Sequence, residues 1–155
     1  MTDYTQRFAT LDDAEKITQH RYLMFVDIGK AQEEQLQVMN TAFETWVRDE
    51  LAAGQYIGVF MIHDTEIVAG AGLWLEPRAP GPSDASTVGA KIVNVYVNPE
   101  HRRKGLARCM MQVLLDEART RHLKSVVLHA SDEGRGLYES MGFAVTNEMR
   151  LELNV

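Results

Sequence analysis

The sequence predicts an α/β domain, and three observations carry that prediction. An alternating apolar run at Ile92, Val93, Val95 and Val97 reads as a strand rich in β-branched residues. From Leu106 the period turns helical, with Leu106, Met110, Val113, Leu114 and Glu117 along one face. Between them, Asn98-Pro99 stops the strand, since proline lacks the N–H a ladder needs, and Arg102, Arg103, Lys104 and Gly105 follow. A strand therefore feeds a basic, glycine-containing turn that opens a long amphipathic helix, and helical and strand patterns fill the rest of the 155 residues.

In chain order, Tyr4 to Phe8 reads as a short first strand. Thr10 with Asp13 three residues on resembles a capping box, opening a helix through Ile17 and Met24 that stops near Gly29. A second helix spans about Glu33 to Ala53, with Leu36, Met39, Phe43, Val47 and Leu51 on its apolar face, and Gly54 ends it. Tyr22, Phe25 and Trp46 are expected to line core or groove. Tyr56 to Ile62 and Glu66 to Leu75, joined by His63-Asp64-Thr65, form a hairpin by pattern. Glu76 to Gly89, with three prolines and two glycines, reads as a long loop: a lid over a site or a plain crossing. After the central helix, which ends around His122, Ser125 to Ala130 reads as a buried strand and Gly134 to Met141 as a short helix. Phe143 to Val145 and Glu148 to Leu153 read as two closing strands or one bent strand.

Composition narrows the class. Hydrophobic residues make up 45% and charged residues 25%, as in an ordinary globular protein, and residues 1–155 are expected to form a single domain. No apolar run approaches a membrane span, and MTDYTQRFAT does not read as a signal peptide, so no membrane association is expected. The single cysteine, Cys109, excludes an internal disulfide and suits a reducing cytoplasm; it reads as a packing residue, not a nucleophile. A net charge of −6 speaks against nucleic-acid binding and would tolerate cationic substrates. His20, His63, His101, His122 and His129 show no metal-ligand spacing, so no metal is expected.

The basic turn has a chemical use. The first turn of a helix carries N–H groups without an intrahelical partner and a partial positive charge, which suits a phosphate. Gly105 lets backbone amides approach phosphate oxygens, and Arg102, Arg103 and Lys104 add charge around the same point. Neither a P-loop nor a G-x-G-x-x-G pattern is present. Arg102-x-x-Gly105-x-Ala107 does match the [Q/R]-x-x-G-x-[G/A] signature of the GNAT acetyltransferases, preceded by the strand V-x-V-x-P and followed directly by the helix. Leu137-Tyr138 through Gly142-Phe143 resembles the L-Y-x-x-x-G-F segment of the same family, and order and spacing agree over about the last 65 residues.

The resemblance implies a GNAT-type acyl-CoA N-acyltransferase fold: a twisted mixed β-sheet with a splayed central strand pair and helices on both faces. It implies acetyl-CoA as co-substrate and an amine as acceptor, attacked directly in a ternary complex. The pyrophosphate would lie against Arg102, Arg103, Lys104, Gly105, Leu106 and Ala107. The pantetheine arm would lie along the backbone of Val95, Tyr96 and Val97, in the opening toward Ser125–Ala130, with the amide near Val95 holding the oxyanion. Tyr138 would be the catalytic residue, giving a proton to the departing thiolate; from pattern alone it reads as a helix tyrosine covering core. Lys91 occupies the position where histone-directed members carry a glutamate base, so that branch is disfavoured. Asp27, Glu76 and Asp84 are candidates for meeting the amine, and each taken singly reads better as a solvated loop or helix-end carboxylate. Arg135 is a candidate for a CoA phosphate. A small-molecule acceptor is favoured, and a homodimer is compatible with the resemblance. The rival reading is a non-catalytic acyl-CoA-binding sensor or regulatory module, which would keep Arg102–Ala107 without needing Tyr138.

Overall fold

A computed structural model describes residues 3–153. Strand β1 (Tyr4–Phe8) leads through a short 3-10 turn into helices α1 (Ala14–Ile28) and α2 (Glu33–Ala52). Strands β2 (Tyr56–His63), β3 (Glu66–Pro77) and β4 (Val88–Val97) follow, then helix α3 (Leu106–Thr120) and the short helix α4 (Arg135–Ser140). The strands form one antiparallel sheet in the order β1-β2-β3-β4.

Local chemistry sets the element ends. Asp13 accepts from the Thr10 N–H at 2.7 Å and takes both terminal nitrogens of Arg7 at 2.8 and 2.9 Å, which ties β1 to the start of α1. Gly29, at φ +75°, closes α1 with its N–H on the Phe25 carbonyl at 3.1 Å. Each face of the sheet then buries its own helical stripe. Ala14 and Ile17 of α1 with Phe43 and Val47 of α2 pack over Tyr56 and Phe60. On the opposite face Leu106, Met110, Met111, Leu114 and Ala118 of α3 pack over Val59, Met61, Leu73 and Ile92. Met111 is fully buried with them.

The structure departs from the sequence reading in three places. Ser125–Ala130 is not a full strand: only Val127 pairs, parallel to Lys91, with its N–H on Ala90 O at 3.0 Å and its carbonyl taking the Ile92 N–H at 2.9 Å. This one parallel bridge gives the sheet its mixed character. The strands expected at Phe143–Val145 and Glu148–Leu153 do not form. After Phe143 N–H bonds Tyr138 O at 3.0 Å, residues 144–153 make no backbone hydrogen bond among the described residues. Val145, Met149, Leu151 and Leu153 are 78, 94, 82 and 76% exposed on this C-terminal arm. The alternating pattern is real, but a strand also needs an edge to pair with, and the arm meets none among the described residues. Thirdly, the long loop is trimmed to residues 78–87 and fastened. β3 and β4 extend into it, and Arg78 grips Asp84 Oδ2 at 2.9 Å and the Ser86 carbonyl at 3.1 Å, while its N–H bonds Thr87 O at 2.8 Å. Neither a free lid nor an unstructured crossing describes it.

Candidate active site

The site begins with one extra residue in β4. Gly70 pairs with Tyr96 and Gly72 with Val93, so β4 spends three residues where β3 spends two. Asn94, at φ +58°, absorbs the excess as a β-bulge, a conformation asparagine tolerates better than most residues. The bulge reverses the facing of the backbone. Before it, the Ile92 N–H points to Val127. Beyond it, Asn98 N–H points back to Val68 O at 2.8 Å on β3, so by alternation the N–H groups of Val95 and Val97 face away from β3. No strand meets them there: β4 and the Val127 segment touch only at Ala90–Ile92 and then part. A slot with free strand edge results. Val95 and Val97 turn their side chains to the α3 core, whereas Tyr96 lies on the α1 side with its ring 5.1 Å from His20.

The basic turn follows directly. A 3-10 turn at Pro99–His101, capped by Asn98 Oδ1 accepting from Glu100 N–H at 3.0 Å, reverses the chain. Arg103 (φ +62°) and Gly105 (φ +78°) then bend it into α3. The first helical bond is Cys109 N–H to Gly105 O at 3.0 Å, and the N–H groups from Arg103 to Arg108 have no acceptor among the described residues. A Cβ placed on Gly105 would meet nothing within 4 Å, so the backbone here borders open space. Six consecutive unpaired donors, a helix N-terminus and two cations without an ion pair among the described residues, Arg103 and Lys104, fit a pyrophosphate. Leu106 is buried against the core, and Ala107 sits in the first turn with its N–H free.

Arg102 behaves differently from its neighbours. Its Nε donates to Val97 O at 2.9 Å and a terminal nitrogen to Asp27 Oδ2 at 2.7 Å. It clamps the turn to α1 instead of standing free beside a phosphate.

Tyr138 is 8% exposed on α4 and packs edge-to-face with Phe143 at 6.0 Å. Gly134 makes room for it, since a Cβ there would come within 2.7 Å of Tyr138 Cε2. Burial holds its phenol above the ordinary tyrosine value, and its hydroxyl donates to no acceptor among the described residues. The carboxylates expected to meet an amine are not gathered here. Asp27 is taken by Arg102 and Asp84 by Arg78. Glu76 pairs across from Gly89, four residues along β3 from Gly72, on the order of 13 Å from the bulge. Arg135 shows no ion-pair partner among the described residues.

Asn94, which sequence places on the face opposite the valines as acceptor-pocket lining or packing, gathers Arg21 and Tyr56 at the bulge. Pattern assigns neither of these two a role. Asn94 Nδ2 donates to Tyr56 Oη at 3.1 Å, and Asn94 Oδ1 accepts from Arg21 at 2.6 Å. Burial pushes Tyr56 up to about 12 and holds His20 down at about 4, so both are neutral near pH 7. The only sequence signal for this cluster was an asparagine inside a β-branched strand.

A slot on a splayed strand pair, followed by a pyrophosphate-shaped helix N-terminus, defines an acyl-CoA-dependent acyltransferase. Residues 14–143 match the model of the acetyltransferase (GNAT) family. The chain belongs to that family, and acetyl-CoA is the co-substrate that membership brings. A GCN5-related N-acetyltransferase from Ralstonia eutropha JMP134 superposes with TM-score 0.91 and 32% identity, over 97% of this chain and 98% of that one. An acetyltransferase from Clostridium acetobutylicum, solved with acetyl-CoA, superposes at TM-score 0.88 and 25% identity over 97% and 96% of the two chains. Glucosamine 6-phosphate N-acetyltransferase of Trypanosoma brucei brucei is 33% identical over 103 residues, 65% of this chain and 68% of that protein. L-amino acid N-acyltransferase MnaT of Escherichia coli (strain K12) is 37% identical over 59 residues, which span 36% of this chain and 34% of that protein. Among the described residues no group of three or more His, Cys, Asp or Glu could hold a metal, and no helix is long and apolar enough to cross a membrane.

Proposed function

We propose that this chain is a single-domain enzyme that moves the acetyl group of acetyl-CoA to the primary amine of a small molecule. The observation that carries the reading is the free edge of β4 running into the unpaired N–H groups of 103–108. The pyrophosphate takes the amides of Arg103 to Ala107 and the charges of Arg103 and Lys104, with Arg102 bracing the turn. The pantetheine arm lies along Val95–Val97 as an added strand. The amine nitrogen attacks the thioester carbon, forming the C–N bond. Negative charge on the carbonyl oxygen is met by the outward Val95 N–H. The C–S bond then breaks, the electron pair goes to sulfur, and Tyr138 delivers the proton that makes CoA a neutral thiol. Its raised pKa keeps that proton available at neutral pH. The amine must arrive unprotonated or lose its proton to solvent, since none of the three candidate carboxylates is both free and near the bulge.

The two curated relatives act on an L-amino acid and on glucosamine 6-phosphate, both small amines, which supports a small-molecule acceptor here. The unpaired cysteine supports a cytoplasmic setting. The assay is acetyl transfer over a panel of small amines, followed by release of the CoA thiol. Thiol release coupled to N-acetyl product is expected. Tight acetyl-CoA binding with no turnover on any amine would favour the sensor reading.

The C-terminal arm supports a homodimer. Val126 and Leu128 face their backbone groups away from β4, because Val127 faces its own toward it, so the outer edge of this segment is open. The arm has strand-like alternation and lacks an edge; the segment has an edge and lacks a strand. Within this chain His129 already meets Glu148 at 3.2 Å and Glu152 faces Arg150 at 3.8 Å, so the pairing between copies rests on the backbone edge. In a second copy each need is met by the other chain. Sedimentation should give a dimer for the whole chain and a monomer after removal of residues 145–155; a dimer in both cases would place the interface elsewhere.

A further inference from the structure

Arg21 contrasts with the arginines that fasten the fold. Arg7, Arg78 and Arg102 each hold a carboxylate, at 2.8, 2.9 and 2.7 Å. Arg21, in the middle of α1, has no carboxylate partner among the described residues. Its guanidinium stands 5.1 Å from the centre of the Phe25 ring and 4.9 Å from that of Phe43. One terminal nitrogen donates to Asn94 Oδ1 at 2.6 Å, Nε is enclosed with no acceptor, and the other terminal nitrogen has no partner among the described residues. A guanidinium keeps its charge at any physiological pH, so this chain holds an unneutralised cation between two aromatic rings. Aromatic faces tolerate a cation but offer no oxygen to its remaining N–H groups.

The placement gives that cation a use. Asn94 is the bulge residue, where β4 leaves the Val127 segment, and its side chain projects to the α1 side of the sheet. Arg21 therefore stands beside the point where the acetyl carbonyl would lie, on the face opposite α3. Planar guanidinium groups with free donors recognise carboxylate and phosphate oxygens. We propose that Arg21 binds an oxyanion carried by the acceptor, so that the substrate is an amine bearing a carboxylate or a phosphate. Asn94 is the positioning residue: it fixes the fork from one corner and is itself held by Tyr56 Oη at 3.1 Å. This inference rests on the reading that the chain acetylates amines.

The test uses matched pairs that differ only in the anion: L-phenylalanine with 2-phenylethylamine, L-leucine with 3-methylbutylamine, and glucosamine 6-phosphate with glucosamine. Wild type should favour the anionic member of one pair by on the order of 10–100-fold in kcat/KM, mainly through KM, as expected for losing a charged hydrogen bond. The amino-acid pairs and the sugar pair separate carboxylate from phosphate. Arg21→Gln should erase the preference, lowering kcat/KM for the anionic member of the pair far more than for the neutral one, and Arg21→Lys should restore part of it. No preference in wild type overturns the proposal, as does an equal loss on both members of a pair in Arg21→Gln. Calorimetric titration of the same anionic ligands reads the site without turnover. Arg21-dependent binding with no acetylation of any amine would keep the anion site and overturn the acetyltransfer reading. Binding indifferent to Arg21 would overturn the site.

Discussion

Replacing Gly105 by glutamate tests the phosphate loop with little confusion from folding. Gly105 sits at φ +78°, so any side chain costs about 1–2 kcal/mol there. A Cβ meets nothing within 4 Å, so no packing term adds to this cost. A carboxylate at a helix N-terminus returns ~0.3–1 kcal/mol. The net loss of about 1 kcal/mol lowers Tm by roughly 2–4 °C in a chain of this size, and the protein stays folded. Binding should suffer far more. One carboxylate charge about 4 Å from one phosphate charge, at the screening typical of a protein surface, costs about 4 kcal/mol, close to a thousandfold in Kd. Gly105→Ala carries the same backbone strain without the charge and should fall between the two. Calorimetric titration with acetyl-CoA, paired with thermal melts, reads both quantities. If Gly105→Glu binds acetyl-CoA within fivefold of wild type, the pyrophosphate lies elsewhere and the reasoning about residues 103–108 fails.

Three other outcomes follow from the same geometry. Tyr138→Phe should lower kcat by roughly a hundredfold with acetyl-CoA affinity unchanged, measured by thiol release and calorimetry. Because burial raises the Tyr138 pKa, any alkaline loss of wild-type activity that it governs should lie above pH ~10 and be absent from the variant. His20 is pushed from 6.5 to about 4 by burial and, secondarily, by Lys16. The unfolded chain therefore takes up a proton first, and stability should fall by up to about 3 kcal/mol as pH drops from 6.5 toward 4. Urea unfolding at several pH values should show this slope in wild type and a flatter one in His20→Gln. Gly72→Ala would drive a methyl group into the Tyr56 hydroxyl, which holds Asn94. A destabilisation of about 1–3 kcal/mol is expected by denaturant titration.

Much of the scaffold was written in local pattern. The α2 stripe of Leu36, Phe43 and Val47 and the hairpin of β2 and β3 each follow from a period and a turn, which neighbouring residues decide. The basic turn was legible for the same reason, since Pro99, Arg102 and Gly105 lie within a few residues of one another. What escaped depends on distant partners. Alternation in Ser125–Ala130 and in the arm announces strands, but it does not say whether an edge waits in the same chain. The clamp from Arg102 to Asp27 and the bond from Arg21 to Asn94 join residues separated by 75 and 73 positions, which no local window contains. Tyr138 was picked out by family resemblance and not by helix period, because the apolar side of a six-residue helix looks the same with or without chemistry.

The bulge at Asn94 works as a counting device. A β-ladder is a two-beat pattern, and one surplus beat changes which half of the backbone faces each neighbour. Without it, β4 would stay in phase with the Val127 segment past Ile92, and the two could zip together along the rest of their length. The register itself sets the two edges out of phase. Deleting this single residue would restore the phase of the two segments and remove the free strand edge beyond Ile92.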